Sequence, residues 1–489
     1  MNDSRSNSQK VLSGISSQTI VTIVLGVVEI VSFSFLSRLL TKEDFGYYAA
    51  ISAITIIFST FADTGIGSSI VQCKNLTKRY IDNAFTLSVI IGVAVMLLLL
   101  SLSGILARTI ADGSMTVPLM LMSVTLFLQS LTSVFTSLMH RRLEFLRIGM
   151  IYLVSLVITT VVAVWLAYDG YGYYAIITKI VMYWVLIFIM SFYMCKTRFS
   201  IALDKRTASA IIHFSGWLMF SGLFRNISHQ VDKLLMPRLL SVELLGAYNR
   251  PKDFVEHVST KLNGIFDTAL FPVLSSIQDE KEKLAKAFRQ SLSTLNTFAM
   301  LLTLTFAFNS QLLIRIFFGD QWMSLNSITI IISFVLVFNI DGRLSDCYLR
   351  SLGMTKQQFF FRIFEAVLNI LGVLIGSYWG ITGVAISVVA TNSIAKLIKI
   401  VFVASKIDVC MRETLLVIIN SWRFTVVLIP IVLLFVFLLP NSVMGDVLRA
   451  VLFACTIIIL FLYFPRLIGK DYENMIYPRI HNLVLKHRS

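Results

Sequence analysis

Long apolar segments recur along the whole chain and constrain its fold more than any other feature. A helix that crosses the hydrocarbon core of a bilayer needs about 20 mostly apolar residues, and the sequence contains 14 segments long enough, separated by short loops. Only 14% of the 489 residues are charged, against about 25% in soluble proteins. A soluble enzyme, a disulfide scaffold and a disordered chain are thereby excluded, and an all-α polytopic membrane protein is predicted. The predicted spans are 15–40, 46–72, 83–107, 117–139, 149–168, 172–195, 208–239, 246–275, 290–314, 325–350, 358–377, 381–403, 424–440 and 446–465.

Positive charge is divided unevenly between the two sets of loops. The chain has 42 Lys and Arg against 27 Asp and Glu, a net charge of +15. Alternate loops are basic, and short cytoplasmic loops are the ones that collect Lys and Arg. The loops between them hold only isolated cations such as Lys42, Arg108, Arg315 and Arg449. This alternation predicts that both termini are cytoplasmic, and it explains most of the net charge without a nucleic-acid partner.

An internal repeat divides the predicted helices. Residues 38–48 read RLLTKEDFGYY and residues 238–248 read RLLSVELLGAY, and a second pair, 168–176 and 378–386, matches at nearly the same offset. Either helix–loop–helix junctions resemble one another by chance, or the chain contains two six-helix lobes. Because six is an even number, such repeats are parallel and related by an axis along the membrane normal. We therefore predict an N-terminal lobe over 1–200, a C-terminal lobe over 201–410, and two further helices with a cytoplasmic tail over 411–489.

Ionisable residues at membrane depth are the candidate functional residues, since a charge in hydrocarbon costs a few kcal/mol or more and normally faces protein or a water-filled cavity. A polar cavity between the lobes, suited to alternating access, follows if the charged helices face each other. The predicted binding cations for an anionic substrate are Arg225, Lys252, Lys261 and Arg343. The predicted coupling or gating carboxylates for a proton or cation are Glu29, Asp63, Asp232 and Asp267.

A structural role stays open for each of these residues. Asp232 can neutralise Arg225 or Lys233, and Asp341, Arg343 and Asp346 can form a local network. For charges near helix ends we expect the side chain to extend to the membrane interface; these are Arg362, Lys396 and Lys399. The five cysteines form no paired motif and accompany no histidine cluster, so we expect no disulfide, no metal site and no cofactor.

Several ordered segments resemble a known family. FLSRLLTKEDFGYYAAISAITIIFSTFADTGIGSSIVQ (35–72), DKLLMPRLLSVELLGAYNRPKDF (232–254), FPVLSSIQDE (271–280), FFGDQW (317–322) and YLRSLGMTK (348–356) are similar to bacterial polysaccharide exporters of the Wzx type, and most similar to the colanic-acid exporter subgroup. These exporters belong to the MOP superfamily, which also contains multidrug and toxin extruders of the MATE type and the peptidoglycan-precursor flippase.

The resemblance implies a V-shaped, two-lobed bundle in the bacterial inner membrane. Such a protein would move an undecaprenyl-pyrophosphate-linked oligosaccharide from the cytoplasmic to the periplasmic leaflet, for surface polysaccharide biosynthesis. Its implied partners are the lipid-linked substrate, membrane lipids, a coupling proton or cation and the polysaccharide polymerase machinery. Carried over to this sequence, it assigns Arg225, Lys252 and Arg343 to the anionic headgroup and Asp63 and Asp232 to gating or coupling.

Two other functions compete with this prediction. A drug or cation antiporter of the MATE type would favour an acidic cavity, whereas several of the charges at membrane depth here are cations. A membrane polysaccharide polymerase or glycosyltransferase would usually carry a sizeable periplasmic loop with catalytic side chains, and every loop predicted on that side is short. We therefore predict a transporter and not an enzyme.

Overall fold

The computed structural model is all-helical over the residues that it describes. These are residues 2–463 except 64, 74, 112 and 441; within them the side chains of 2–20, 206, 210, 212–218, 220, 221, 263–269 and 462 are not described. The described part contains 18 α-helices, two short 3₁₀ helices and no strand. The predicted all-α fold is confirmed.

The chain forms two compact units, Met1–Asn249 and Arg250–Ser489. The first unit contains eight complete helices and the start of a ninth. They are α1 (Asn2–Leu39), α2 (Lys42–Ala62), α3 (Ile66–Gln72), α4 (Lys78–Ile110), α5 (Thr116–Arg141), α6 (Phe145–Tyr168), α7 (Tyr173–Cys195) and α8 (Lys205–Leu239).

The second unit begins inside α9 and contains the remaining helices. They are α9 (Val242–Ser276), α10 (Lys281–Phe308), α11 (Ser310–Phe317), a 3₁₀ helix (Asp320–Leu325), α12 (Asn326–Ser333), α13 (Val335–Ser351), α14 (Thr355–Gly376), a 3₁₀ helix (Ser377–Trp379), α15 (Gly380–Lys406), α16 (Met411–Ser421), α17 (Thr425–Leu438) and α18 (Val443–Tyr463).

Each predicted apolar span coincides with one or more of these helices, and some spans are interrupted. The second predicted span, 46–72, breaks after Ala62 because Gly65 takes a left-handed backbone conformation with φ of 74°, which glycine adopts at little cost. Eleven segments of the described chain are long and apolar enough to cross a membrane. One of them, Thr355–Lys406, contains both α14 and α15. Helices α8 and α9 have 35 residues each and contain side chains that are not described; neither is among the eleven, and the number of 14 spans stays a prediction.

Packing inside each unit is centred on large buried side chains. In the first unit Phe135 of α5 is 1% exposed and contacts residues of α4 and α7. In the second, Phe288 of α10 packs edge-on against Tyr348 of α13, with ring centroids 5.2 Å apart. Outward-facing apolar residues such as Val426 and Phe437 of α17 are highly exposed, as expected for a lipid-facing helix.

The connection between α7 and α8 is fastened to the first unit by hydrogen bonds. The Asp82 carboxylate of α4 accepts from the Ser200 backbone amide at 3.0 Å and from its hydroxyl at 2.6 Å. Asp204 caps α8, and hydrogen bonds from the Thr207 hydroxyl and backbone amide lower the pKa of Asp204 from its ordinary value. Helix α8 packs on α2, α3 and α4, so the first compact unit extends beyond residue 200. The boundary of the duplication at residue 200 stays a prediction.

Candidate functional site

Arg225, the predicted substrate-binding cation of the first unit, lies near the middle of α8 and is exposed. The adjacent Asn226 is tied to α2, since its side-chain amide donates to the Thr60 hydroxyl at 2.7 Å. Gly222, one turn earlier, packs on the same Thr60 side chain: an added Cβ would lie 3.1 Å from the Thr60 methyl group. One face of α8 is thus held against α2, while the Arg225 guanidinium is accessible to a ligand.

Asp232 of α8 is buried and has a structural partner that the sequence did not reveal. Its side chain is 4% exposed and accepts a hydrogen bond from the Tyr248 hydroxyl at 2.9 Å. The backbone amide of Lys233 also donates to it, at 2.9 Å. Asp232 therefore fastens the end of α8 to the start of α9, whatever further role it has.

Glu29 lies in a polar region of the first unit, half-buried on α1. Ser32, one turn later, accepts a hydrogen bond from the Lys179 ammonium of α7 at 2.5 Å. Residues three apart share one face of a helix, so Glu29 and Ser32 face the same side of α1. Among the predicted coupling carboxylates whose side chains the structure describes, Glu29 is the one that is partly accessible within a predicted span.

Asp63 lies at a helix end, at the break inside the predicted span 46–72. Helix α2 ends at Ala62, and the Asp63 amide donates to the Ser59 carbonyl as the helix cap. The 21 residues of α2 rise about 31 Å, the thickness of a typical hydrocarbon core. The exposed Asp63 side chain therefore follows a helix long enough to cross a membrane, and its depth stays a prediction.

The predicted site residues on α9 have different environments. Lys252 is buried and forms an ion pair with Glu256, one turn later, at 3.6 Å. Lys261 is exposed. The Asp267 side chain lies outside the described residues. Because Glu256 partly compensates its charge, Lys252 is less suited to a headgroup than Lys261.

A buried ion-pair network joins α13, α14 and α15 in the second unit. The Asp346 carboxylate pairs with Arg362 at 2.8 Å and with Lys399 at 3.2 Å. Lys399 also pairs with Glu365 at 2.9 Å and is 2% exposed. The interface expectation for Arg362 and Lys399 is wrong, because both side chains lie inside the helix bundle and form ion pairs.

Neutral amides extend this network towards α10. The Lys396 ammonium donates to the side-chain amide oxygen of Asn339 at 2.5 Å. The side-chain amide nitrogen of Asn296 donates to the Asp341 carboxylate at 2.5 Å. Gly342 of α13 makes room for the lysine stem, since an added Cβ would lie 3.0 Å from Lys396 Cδ. Lys396 is 6% exposed, so the interface expectation is wrong for this residue too.

Arg343 is the predicted cation of the second unit that stays accessible next to this network. It lies on α13 one turn before Asp346 and is half-buried. The predicted network of Asp341, Arg343 and Asp346 is therefore larger than expected, and its carboxylates have partners on other helices. The sequence did not place Arg362, Glu365, Lys396 and Lys399 in this network. Their spacing was the available signal, because Arg362 and Glu365, and likewise Lys396 and Lys399, are three residues apart and so share one helix face.

The chain is similar to proteins of polysaccharide biosynthesis. A family described as "Polysaccharide biosynthesis protein" matches residues 35–327. The lipopolysaccharide biosynthesis protein WzxC of Escherichia coli (strain K12) is 25% identical over 376 residues, covering 75% of each chain. The teichuronic acid biosynthesis protein TuaB of Bacillus subtilis (strain 168) is 21% identical over 341 residues, covering 68% of this chain and 69% of TuaB.

Solved structures with a similar fold are membrane transporters. The lipid II flippase MurJ, in an inward closed conformation, superposes with a TM-score of 0.69 and 14% identity over 91% of this chain and 98% of MurJ. A multidrug resistance MATE transporter of the MOP superfamily, in an inward-facing conformation, superposes with a TM-score of 0.66 and 14% identity over 81% of this chain and 98% of that protein. At this level of identity the likeness establishes the fold alone.

Proposed function

The chain belongs to the polysaccharide biosynthesis protein family, and from this premise we propose that it flips an undecaprenyl-pyrophosphate-linked oligosaccharide across the bacterial inner membrane. The resemblance drawn from the sequence is confirmed at the level of the family. The protein is a multi-span member of this family with the fold of MOP-superfamily transporters. The lipid-linked substrate, the direction from the cytoplasmic to the periplasmic leaflet and the coupling ion are the proposed part.

The accessible arginines at membrane depth carry the proposal. Arg225 is exposed near the middle of α8, and Arg343 is half-buried on α13 beside a network that already satisfies the neighbouring charges. A guanidinium presents paired donors that match phosphate oxygens. Arg225 in the first unit and Arg343 in the second therefore each suit the phosphate groups of a headgroup, and exposed Lys261 suits a supporting contact within the second unit. Lys252 stays in this set as a cation whose availability depends on release from Glu256.

Glu29 is the coupling residue that the structure favours. It lies half-buried on α1 near the hydrogen bond between Lys179 and Ser32, where protonation or cation binding would change a local charge balance. Asp232, already engaged by Tyr248, fits a gating role better than ion binding. Asp63 at the end of α2 stays a predicted gating or coupling residue, as does Asp267.

Family membership favours a transporter over an enzyme. The related proteins include WzxC and TuaB, named for polysaccharide biosynthesis, and the succinoglycan biosynthesis transport protein ExoT of Rhizobium meliloti. The alternative of a MATE-like drug or cation antiporter is supported by fold similarity. The accessible arginines favour an anionic substrate over a cationic drug.

The proposed orientation places the basic loops and both termini in the cytoplasm. The first turn of α10 carries the exposed cations Lys281 and Lys283, and cations that flank short loops are retained on the cytoplasmic side. The opposite face is then periplasmic, where the polysaccharide polymerase machinery would receive the flipped unit.

A deletion strain tests the transport step directly. We expect lipid-linked repeat units to accumulate on the cytoplasmic leaflet and surface polysaccharide to be lost. Accumulation of unpolymerised units on the periplasmic leaflet would instead indicate a polymerase, and normal polysaccharide would contradict both functions.

Arginine variants test the binding residues. We expect Arg225→Ala or Arg343→Ala to abolish surface polysaccharide while the protein remains in the membrane at its normal level, because the headgroup loses a bidentate partner. Arg412→Ala is the matched control, since Arg412 is an exposed arginine at the start of α16. Normal polysaccharide in both binding-site variants would remove the assignment of a cationic site.

A further inference from the structure

The connection between α7 and α8 runs along the surface of α4. It comprises residues 196–204, none of which is helical, and we call it the strap. Lys196 ends α7 in a left-handed backbone conformation with φ of 49°, which turns the chain out of the helix. The first half of the strap is held by Phe199, whose ring stacks on that of Phe85 of α4 with centroids 4.7 Å apart.

The second half of the strap is held by its own backbone amides. Besides the hydrogen bonds to Asp82, the Ala202 amide donates to the Thr86 hydroxyl at 3.0 Å. The Asp204 amide donates to the side-chain oxygen of Asn83 at 2.6 Å. Amides at alternate positions thus donate to one helix, as they do along the edge of an extended strand. Because all three acceptor residues of α4 are buried, the backbone of the strap is fixed in place.

Two large apolar side chains of the strap point away from this contact. Ile201 is 87% exposed and Leu203 is 60% exposed. Because residues two apart in an extended chain share one face, these side chains point the same way. The strap therefore presents an apolar pair on its outer side, while its backbone is bound to α4.

The depth of the strap follows from its partners on α4. With 33 residues, α4 is about 50 Å long, so a hydrocarbon core of about 30 Å centred on it leaves about 10 Å of helix outside at each end. Asp82 and Thr86 lie about 6 and 12 Å along the helix from Lys78, where α4 begins. The strap therefore lies at the boundary between headgroups and acyl chains, where exposed apolar side chains enter the bilayer.

Exposed cations bracket the apolar pair. They are Lys196, Arg198 and Lys205. The one carboxylate in the sequence of the strap, Asp204, caps α8 and pairs with Arg79 at 3.0 Å. Apolar side chains flanked by Lys and Arg at a membrane interface are typical of segments that bind anionic lipid. The charge and the apolar pair of the strap thus favour the same partner.

We propose that the strap is a binding site for anionic phospholipid. Ile201 and Leu203 contact the acyl chains, and Arg198 and Lys205 bind the headgroup phosphates. Because the hydrogen bonds to α4 already order the backbone, little conformational entropy is lost when lipid binds. Bound lipid holds the start of α8, the helix that carries Arg225, at the membrane interface. The predicted orientation assigns the site to the cytoplasmic leaflet, and the inference goes beyond the proposed function without depending on its substrate.

Quenching by lipid tests whether Ile201 enters the bilayer. The full-length protein is used with the three cysteines that are not buried replaced by Ser, namely Cys73, Cys410 and Cys455. Ile201→Cys in this background carries a bimane label in vesicles of phospholipid with brominated acyl chains. We expect quenching as strong as that of the same label at Val426→Cys, on the exposed face of α17. Asp279→Cys, in the exposed loop before α10, is the aqueous control and stays unquenched.

The preference for a lipid headgroup tests the cations. A low fraction of brominated phosphatidylglycerol in phosphatidylcholine vesicles should quench the label at Ile201→Cys more than the same fraction of brominated phosphatidylcholine. Arg198→Gln with Lys205→Gln removes two cations, and we expect the affinity for phosphatidylglycerol relative to phosphatidylcholine to fall about thirtyfold. Lys281→Gln with Lys283→Gln is the matched control, since both lysines are exposed at the start of α10, and it leaves the preference unchanged.

The outcomes separate the lipid site from the proposed function. Quenching at Ile201→Cys no stronger than at Asp279→Cys would overturn the site and would indicate water or a protein partner at the strap. Equal quenching by the two lipids, or an unchanged preference after Arg198→Gln with Lys205→Gln, would overturn the assignment to anionic lipid. Normal polysaccharide in the deletion strain would refute the proposed function, and the vesicle experiments would still decide the lipid site because they contain no lipid-linked substrate.

Discussion

Asp346→Asn tests how much the buried network of α13, α14 and α15 contributes to stability. The substitution keeps the shape of the side chain but removes the charge that pairs with Arg362 at 2.8 Å and Lys399 at 3.2 Å. Removing one partner of a buried ion pair costs about 3–5 kcal/mol, because an uncompensated charge stays buried. At about 4 kcal/mol the ratio of folded to unfolded protein falls roughly a thousandfold.

The matched control is Asp408→Asn, which breaks a similar pair at the surface. Asp408 pairs with Lys281 at 2.8 Å, a shorter distance than that between Asp346 and Lys399, yet both side chains are more than 60% exposed. Exposed pairs contribute about 0–1 kcal/mol, and asparagine tolerates the left-handed backbone of residue 408, whose φ is 59°. Burial, and not distance, is therefore what makes the first substitution the more damaging one.

The assay is thermal unfolding in detergent, followed by the loss of monodisperse protein on size exclusion. For a unit of this size, residues 250–489, we expect the midpoint of Asp346→Asn to fall by roughly 10 °C. We expect that of Asp408→Asn to fall by no more than about 3 °C. A second variant, Arg362→Gln, should be non-additive with Asp346→Asn, with a coupling energy of about 1–3 kcal/mol. Equal midpoints for the Asp346 and Asp408 variants would refute the role given to burial.

Two further substitutions test other buried polar contacts. Tyr248→Phe removes the hydroxyl that donates to Asp232 and should destabilise the first unit by about 1–3 kcal/mol. The loss is measured as a lower urea midpoint of unfolding, with the dependence of the unfolding free energy on urea concentration unchanged. An unchanged urea midpoint would contradict a stabilising role of this hydrogen bond. Asp446→Asn leaves two arginines without the carboxylate that Arg315 contacts at 3.0 Å and Arg449 at 3.2 Å. The hairpin of α17 and α18 should then become sensitive to limited proteolysis, and an unchanged digestion pattern would contradict this prediction.

The sequence predicts helices better than it predicts where they break or what their charges contact. Apolar length locates every described span, because a bilayer demands it. The break after Ala62 depends on the backbone conformation of Gly65, which apolar length does not indicate. The burial of Lys399 depends on two carboxylates from other helices. Such partners become neighbours only through tertiary packing, which hydropathy does not encode.

The two copies of the repeat share residues at some positions and differ at others. The cap residues Thr41 and Ser241 match at an offset of 200, as do Gly46 and Gly246.

The residues assigned to the substrate do not match. Arg225 corresponds to Leu25, and Asp232 corresponds to Ser32, which accepts instead from Lys179. A binding cation needs no counterpart in the other copy, because one guanidinium suffices to hold an asymmetric headgroup. The absence of a counterpart for Arg225 is therefore compatible with its proposed role in substrate binding.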